Sequence, residues 1–150
     1  MPRVEICLWS TRSQPRGRGT VLRALTDSGC TAALLDYEAM KKVKIHNTEI
    51  LRKEVKVKNA SGDLMTTLGE VDIWLKLNDG RQKYKRMIRA VVVKDLGEDF
   101  VLGIKQLKTV SLLSPNWPAP EKGEDGVDTH RCWKLEEEER ATQLFFALID

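Results

Sequence analysis

The chain has 150 residues, of which 41% are hydrophobic and 31% are charged, and its net charge is +3. This length and composition are typical of one globular domain that buries about 70% of its surface and needs no disulfide or metal. The sequence has neither an apolar stretch near the ~20 residues of a membrane-spanning helix nor the apolar N-terminal run of a signal peptide. We therefore expect a cytoplasmic, reducing location and no membrane partner.

The candidate metal ligands are scattered along the chain. The three cysteines are Cys7, Cys30 and Cys132, and the two histidines are His46 and His130. None of them forms a CxxC pair or a zinc-type spacing, and a zinc site needs about four clustered ligands. We therefore expect neither a metal nor a cofactor.

The first part of the chain predicts short strands. Residues 4–8 alternate between apolar and other side chains, which is the period of a half-buried strand. A second strand is predicted over 20–26 and a buried one over 30–35. Between them, residues 27–29 are turn formers. Asp36 then predicts the cap of a short helical turn over 37–40.

The middle of the chain predicts hairpins. Residues 55–58 alternate, 59–63 form a turn cluster, and 64–68 are the predicted return strand. Gly69 then breaks the pattern, which indicates a bulge or a close approach of two backbones. A second hairpin is predicted over 71–93, with its turn at Asn78-Asp79-Gly80.

The last elements complete an all-β (mainly β) prediction. A short strand is predicted at 100–102 and one or two helical turns at 104–108. Short strands at this spacing favour a barrel or a sandwich. Prolines and acidic residues replace the strand pattern after Ser114, and 133–149 have the period of a helix. We predict a domain over 1–114, followed over 115–150 by a proline-rich, acidic linker and a C-terminal helix.

Asp27-Ser28-Gly29 is the candidate for chemistry. Taken alone it is a weak signal, because Asp, Ser and Gly are all common in plain turns between strands. Its position between two predicted buried strands strengthens the signal, since a polar turn there places a carboxylate at the floor of the domain.

Four segments resemble the retropepsins, the aspartic proteases of retroviruses and LTR retrotransposons, over about residues 2–114. They are the active-site segment at 24–31, the flap hairpin at 57–62 with the strand after it at 68–71, the hydrophobic strand at 90–93, and the hydrophobic-hydrophobic-Gly element at 100–104. The sequence departs from the commonest family pattern at Thr26, at Cys30, and at Ile104, where some members have arginine.

The resemblance implies a retropepsin-like closed β-barrel half with a flap hairpin and one short helix. It also implies an aspartic endopeptidase that cleaves extended peptide segments, with polyprotein processing as the expected task and a retrotransposon as the expected source. The implied catalytic residues are Asp27, Ser28 and Gly29, and the implied substrate-binding flap residues are Asn59, Ala60, Ser61 and Gly62. Ser28 would steady the loop across a dimer, and Gly29 would allow a close backbone approach.

One triplet in each chain implies a homodimer. The chemistry needs two carboxylates, which share a proton because two such groups about 3 Å apart cannot both ionise. A twofold axis between two copies of Asp27 would supply the pair. The expected interface strands are residues 2–8 and 109–113, which would be unpaired edges in a monomer.

Two other functions compete with the peptidase. The first is an inactive retropepsin-like module that only dimerises or binds peptides. The second is a small basic barrel that binds nucleic acid through its Arg and Lys clusters. This second function is disfavoured because the net charge is small and the four tryptophans are too scattered to form a stacking platform.

Overall fold

A computed structural model gives the fold and describes residues 2–12, 17–59, 61–80, 84–113 and 129–131. The strands are β1 (Arg3–Ser10), β2 (Thr20–Thr26), β3 (Ala33–Asp36), β4 (Lys56–Lys58), β5 (Thr67–Leu77), β6 (Arg86–Val93), β7 (Phe100–Leu102) and β8 (Thr129–Arg131). Two short helices, α1 (Tyr37–Lys42) and α2 (Ile104–Thr109), and a 3-10 turn at Asn47–Glu49 complete the described chain. In these ranges no helix is long and apolar enough to cross a membrane.

Six strands close into a barrel in the order β1-β2-β7-β3-β6-β5, and β5 pairs back onto β1. The β2–β7 and β3–β6 pairs are parallel, whereas the other pairs are antiparallel. β4 and β8 form a separate, parallel two-stranded sheet. The all-β prediction is therefore confirmed, with two short helices where the family resemblance implied one. The predicted helix at 133–149 lies outside the described residues.

The barrel is buried on two faces. The main core cluster takes side chains from all six barrel strands, among them Ile6, Leu22, Leu35, Ile73, Ala90 and Phe100. A second buried cluster lies on the opposite face of β2, β3, β6 and β7 and includes Leu25, Leu34, Val91 and Val101. Strands that are buried on both faces have nearly continuous apolar sequences, which explains the unbroken apolar run at residues 90–93 of β6.

The N-terminal strand is not the unpaired edge that the sequence indicated. β1 pairs with β2 from Arg3 to Leu8 and with β5 from Ile6 to Ser10. The prediction that residues 2–8 form an interface strand is therefore wrong for the doubly paired part of β1. Residues 109–113 are not a strand either, because they end α2 and place Val110 and Leu113 in the main core.

Asp36 forms the helix cap that the sequence predicted. Its Oδ2 accepts hydrogen bonds from the backbone N–H groups of Glu38 at 3.1 Å and Ala39 at 3.4 Å. Its Oδ1 accepts a further hydrogen bond from the N–H of Leu96 at 3.1 Å. The same carboxylate therefore starts α1 and holds the loop that leads to β7.

Gly69 lies in the predicted bulge. The β5–β6 register shifts between Thr67 and Gly69, and Gly69 has a φ of +130°. A Cβ atom at this position would lie 2.3 Å from the carbonyl oxygen of Leu51. The glycine is required both by its backbone conformation and by the close approach of a second chain segment.

We expect Gly69→Ala to destabilise the fold by about 3 kcal/mol, because the new methyl group overlaps backbone that cannot rotate away. Gly80→Ala is the matched control, since Gly80 also has a positive φ, +76°, but faces open space. That control should lose about 1 kcal/mol, the cost of the left-handed conformation alone. Urea unfolding of both variants measures the difference, and equal losses would contradict the steric argument.

Candidate active site

The candidate site begins where two parallel strands end together. β2 and β7 pair in parallel with Thr26 opposite Leu102, so Asp27 and Gly103 follow at the same edge of the sheet. The backbone N–H of Asp27 donates to the carbonyl oxygen of Leu102 at 3.0 Å. This bond extends the strand pairing by one residue and fixes the position of the Asp27 backbone.

Asp27 is buried in a closed turn. Only 4% of its surface is exposed, and its Oδ1 accepts a hydrogen bond from the N–H of Gly29 at 2.8 Å. Its carbonyl oxygen accepts from the N–H of Cys30 at 3.1 Å, while Ser28 between them is half-buried. A buried carboxylate needs such donors to offset the loss of water. The turn therefore holds a carboxylate in a defined position with little contact with bulk water.

Thr26, which departs from the commonest family pattern, has a structural partner. Its backbone N–H and its Oγ1 both donate to the carbonyl oxygen of Pro2, at 3.2 and 2.9 Å. The hydroxyl is buried but hydrogen-bonded, so it costs little. The start of the chain is thereby fastened beside the Asp27 turn.

Helix α2 packs against the other side of the turn. The N–H of Ile104 donates to the carbonyl oxygen of Cys30 at 2.9 Å. A Cβ atom on Gly103 would lie 2.3 Å from the carbonyl oxygen of Ala32 and 2.8 Å from that of Cys30. The Gly of the hydrophobic-hydrophobic-Gly element is therefore needed for this contact. Ile104, which replaces the arginine of some family members, is buried in the main core.

The two described cysteines are structural. Cys30 is fully buried, and its Sγ donates to the carbonyl oxygen of Ala32 at 3.2 Å. The pKa of the Cys7 thiol is raised, mainly because the thiol is buried. Lys76 lowers this pKa and Glu5 raises it, each by a smaller amount. Neither thiol is placed as a nucleophile, because the reactive form is an accessible thiolate. Across the described ranges, no cluster of three or more His, Cys, Asp or Glu side chains could hold a metal.

The predicted flap is a hairpin with a well-bonded tip. Asn59 Oδ1 accepts from the N–H groups of Ser61 and Asp63, both at 3.0 Å, and the Asn59 N–H donates to the Asp63 carbonyl oxygen at 2.9 Å. Gly62 has a φ of +85° and faces open space. The return segment is mostly irregular, because only Leu64 bridges to Lys58 before β5 begins. Ala60 lies outside the described residues.

The flap and the Asp27 turn share one buried cluster. Val55 and Val57, at the base of the flap, belong to the same cluster as Leu25 and Cys30, which flank the turn. The structure therefore places β4 against the strands that hold Asp27.

Comparisons with known proteins identify the fold. No protein-family model matches the chain, and no curated protein matches its sequence. The structure is similar to that of EIAV protease complexed with the inhibitor HBY-793, with a TM-score of 0.55 and 15% identity over 73% of this chain and 88% of that chain. A retroviral protease-like domain of Ddi1 from Leishmania major gives a TM-score of 0.47 and 12% identity, over 73% and 76% of the two chains.

The chain has a retropepsin-like fold. The prediction from four short sequence segments is therefore confirmed at the level of fold. The sequence did not indicate that the carbonyl oxygens of Pro2 and Leu102 would hold the Asp27 turn, because backbone acceptors have no sequence signature. Nor did it indicate that Thr129–Arg131 would form a strand against β4.

We expect Gly103→Ala to lower the free energy of unfolding by about 3 kcal/mol and to loosen the Asp27 turn, because its methyl group overlaps two backbone carbonyls. Gly17→Ala, at a positive φ with open space around it, is the control and should lose about 1 kcal/mol. Amide hydrogen exchange measures the loosening of the Asp27 turn, since the N–H groups of Asp27 and Ile104 should exchange faster only in Gly103→Ala. Unchanged exchange in that variant would show that α2 does not support the turn.

Proposed function

We propose that the chain is an aspartic endopeptidase that acts as a homodimer and cleaves extended segments of a peptide or polyprotein. The observation that supports this most strongly is the buried Asp27 in a backbone-fixed turn of a retropepsin-like fold. The cytoplasm, where we expect the protein, is the proposed place of action.

The proposed reaction uses two copies of Asp27. One carboxylate takes a proton from water as the water oxygen bonds to the scissile carbonyl carbon, and the other, protonated, carboxyl donates to the carbonyl oxygen. The tetrahedral diol then collapses, the carbon–nitrogen bond breaks, and a proton moves to the leaving amine. Because the chain has one Asp-Ser-Gly triplet, a second chain related by a twofold axis supplies the other carboxyl.

Ser28 and Gly29 support the pair in this proposal. Gly29 supplies the N–H that holds Asp27 Oδ1. Among the described residues the hydroxyl of the half-buried Ser28 makes no hydrogen bond, so it is available to the turn of the second chain. We assign Ser28 to that contact across the dimer.

The flap would cover the substrate. Residues Asn59, Ala60, Ser61 and Gly62 form its tip, and an extended peptide beneath it would pair with flap backbone. Leu64, next to the tip, is 60% exposed in the single chain. An exposed large apolar side chain on a flap is suited to contact a bound peptide or a second protomer.

The nucleic-acid alternative receives no support from Trp9. Trp9 is 7% exposed, its ring lies 4.7 Å from Lys85 Nζ, and its strand partner is Trp74. A stacking platform needs open ring faces, which Trp9 does not offer.

Asp27→Asn should lower peptide cleavage by at least about 10³-fold, because the amide cannot exchange the proton. The fold should persist, since the Asn side-chain oxygen can still accept from the Gly29 N–H. Cleavage of an unfolded protein at mildly acidic pH, with and without pepstatin, measures the loss, and circular dichroism checks the fold. Cys30→Ala is the control and should remain active. Pepstatin-sensitive cleavage by a clean Asp27→Asn preparation would refute the assignment.

Mixed dimers test the twofold site. With a threefold excess of Asp27→Asn, random pairing leaves each wild-type chain a wild-type partner about one time in four. The activity per wild-type chain should therefore fall to about one quarter. An equal excess of the active Cys30→Ala variant, the control, should cause no such loss. If the activity per wild-type chain stays constant with the Asp27→Asn excess, and also on dilution to a monomer in the ultracentrifuge, one chain forms the whole site.

A further inference from the structure

A strand from beyond the barrel pairs with the flap. β8 (Thr129–Arg131) lies parallel to β4, with Thr129 opposite Lys56, His130 opposite Val57 and Arg131 opposite Lys58. This two-stranded sheet is separate from the barrel. The flap strand therefore binds an extended segment of its own chain by backbone pairing.

The two edges of β4 have different partners. The carbonyl oxygen of Val57 and the N–H of Asn59 bond to the return segment of the hairpin, through Met65 and Asp63 respectively. Because successive residues of a strand turn their backbone groups to opposite edges, the backbone groups of Lys56 and Lys58 face the other edge. β8 lies along that edge, where the N–H and C=O of His130 face Lys56 and Lys58.

The edge that β8 occupies belongs to β4, which packs against the residues that flank the candidate site. Val57 turns its side chain into the buried cluster that includes Leu25 and Cys30, the residues on either side of the Asp27 turn. The backbone edge of β4 is therefore held in a fixed position relative to that turn. An extended peptide that paired with this edge would lie along the flap strand that leads to the tip.

We propose that Thr129–Arg131 acts as an intramolecular ligand of the flap and competes with peptide substrate for the edge of β4 that β8 occupies. The ligand class is an extended peptide held mainly by main-chain hydrogen bonds. The binding of Thr129–Arg131 to β4 rests on the β4–β8 pairing alone. Its competition with a substrate rests, in addition, on the proposed peptidase function.

The geometry permits this exchange of partners. Residues 114–128 join β8 to the barrel and span up to roughly 50 Å when extended, so β8 can leave β4 while the chain remains intact. The parallel direction of β8 is also compatible with a substrate in a dimer. A twofold axis perpendicular to a bound peptide makes that peptide parallel to β4 of one protomer and antiparallel to β4 of its partner.

Competition lowers the apparent affinity for any added peptide. If the segment is docked nine-tenths of the time, the edge is available one-tenth of the time, and the apparent Kd of a competing peptide rises about tenfold. A substitution in β8 that releases it from β4, and leaves the flap unchanged, should therefore lower the apparent Kd of the added peptide.

His130→Pro in the full-length chain tests the proposal, because proline removes the N–H that faces Lys56. His130→Ala is the matched control, since it changes the side chain and keeps the N–H. Both changes are made with Asp27→Asn, so that no probe is cleaved. The probe is a fluorescein-labelled peptide of residues 126–134 with Ser in place of Cys132, and binding is measured by anisotropy. The chain with His130→Pro should bind the probe about tenfold more tightly than the chain with His130→Ala and the chain in which His130 is unchanged.

Amide hydrogen exchange gives a second measurement that needs no activity. His130→Pro should speed exchange at the N–H of Lys58, which faces β8, and should leave that of Asn59, which faces the hairpin, unchanged. His130→Ala should change neither. Equal probe affinity in all three chains, or slow exchange at Lys58 in His130→Pro, would overturn the proposal.

Activity measurements separate this proposal from the proposed function. With Asp27 intact, His130→Pro should lower the apparent KM for a peptide substrate by the same factor as the probe Kd and leave kcat unchanged. If no chain cleaves peptide but the anisotropy and exchange differences hold, the peptidase assignment fails and the intramolecular ligand stands. If the chains cleave peptide with identical KM and identical probe affinity, the intramolecular ligand fails and the peptidase stands.

Discussion

The parallel pairing of β2 with β7 is the constraint on which the site depends. Two parallel strands that are adjacent in a sheet end at the same edge, so the residues that follow them meet. Here those residues are Asp27 and Gly103, which are separated by most of the barrel in sequence. The Asp27 N–H completes the pairing at Leu102, and the absence of a side chain at Gly103 lets α2 close over the turn. The three-residue strand β7 therefore determines where the carboxylate of Asp27 lies.

The same constraint explains how the turn accommodates a buried carboxyl group. The burial of a carboxylate is costly unless hydrogen bonds replace water, and the turn provides the N–H of Gly29. Three hydrogen-bonding contacts fix the turn. Thr26 donates to the carbonyl oxygen of Pro2, and Asp27 donates its N–H to that of Leu102. The N–H of Ile104 donates to the carbonyl oxygen of Cys30. A fixed carboxylate is what a shared proton requires, because two flexible acids would separate and ionise independently. In the proposed homodimer, this rigidity of the single chain would hold each copy of Asp27 in place.

The sequence predicted the features that local chemistry determines. The cap at Asp36 and the bulge at Gly69 each depend on one residue type in one backbone conformation, and both were found where predicted. The pairing of distant strands was not predictable in the same way. Alternation at Val4 and Ile6 indicates a strand with a buried face, but it says nothing about which neighbours pair with its edges. The expectation that this strand was an unpaired edge was therefore wrong, since β5 returns to it from the far end of the barrel.

The closure of the barrel also limits where a peptide can bind. Each of the six barrel strands has a strand partner on both sides for at least part of its length, so the barrel offers few free backbone groups. Among the described strands, β4 is the one outside the barrel that lies against the Asp27 turn, and its outer edge is paired only by β8. A strand edge binds whichever extended chain supplies the complementary backbone groups. For that reason a tail segment with no apolar pattern, Thr-His-Arg, can form a strand there, and we expect that a peptide of unrelated sequence can replace it. Substrate binding and its inhibition by the tail would then depend on the same backbone groups, those of Lys56 and Lys58.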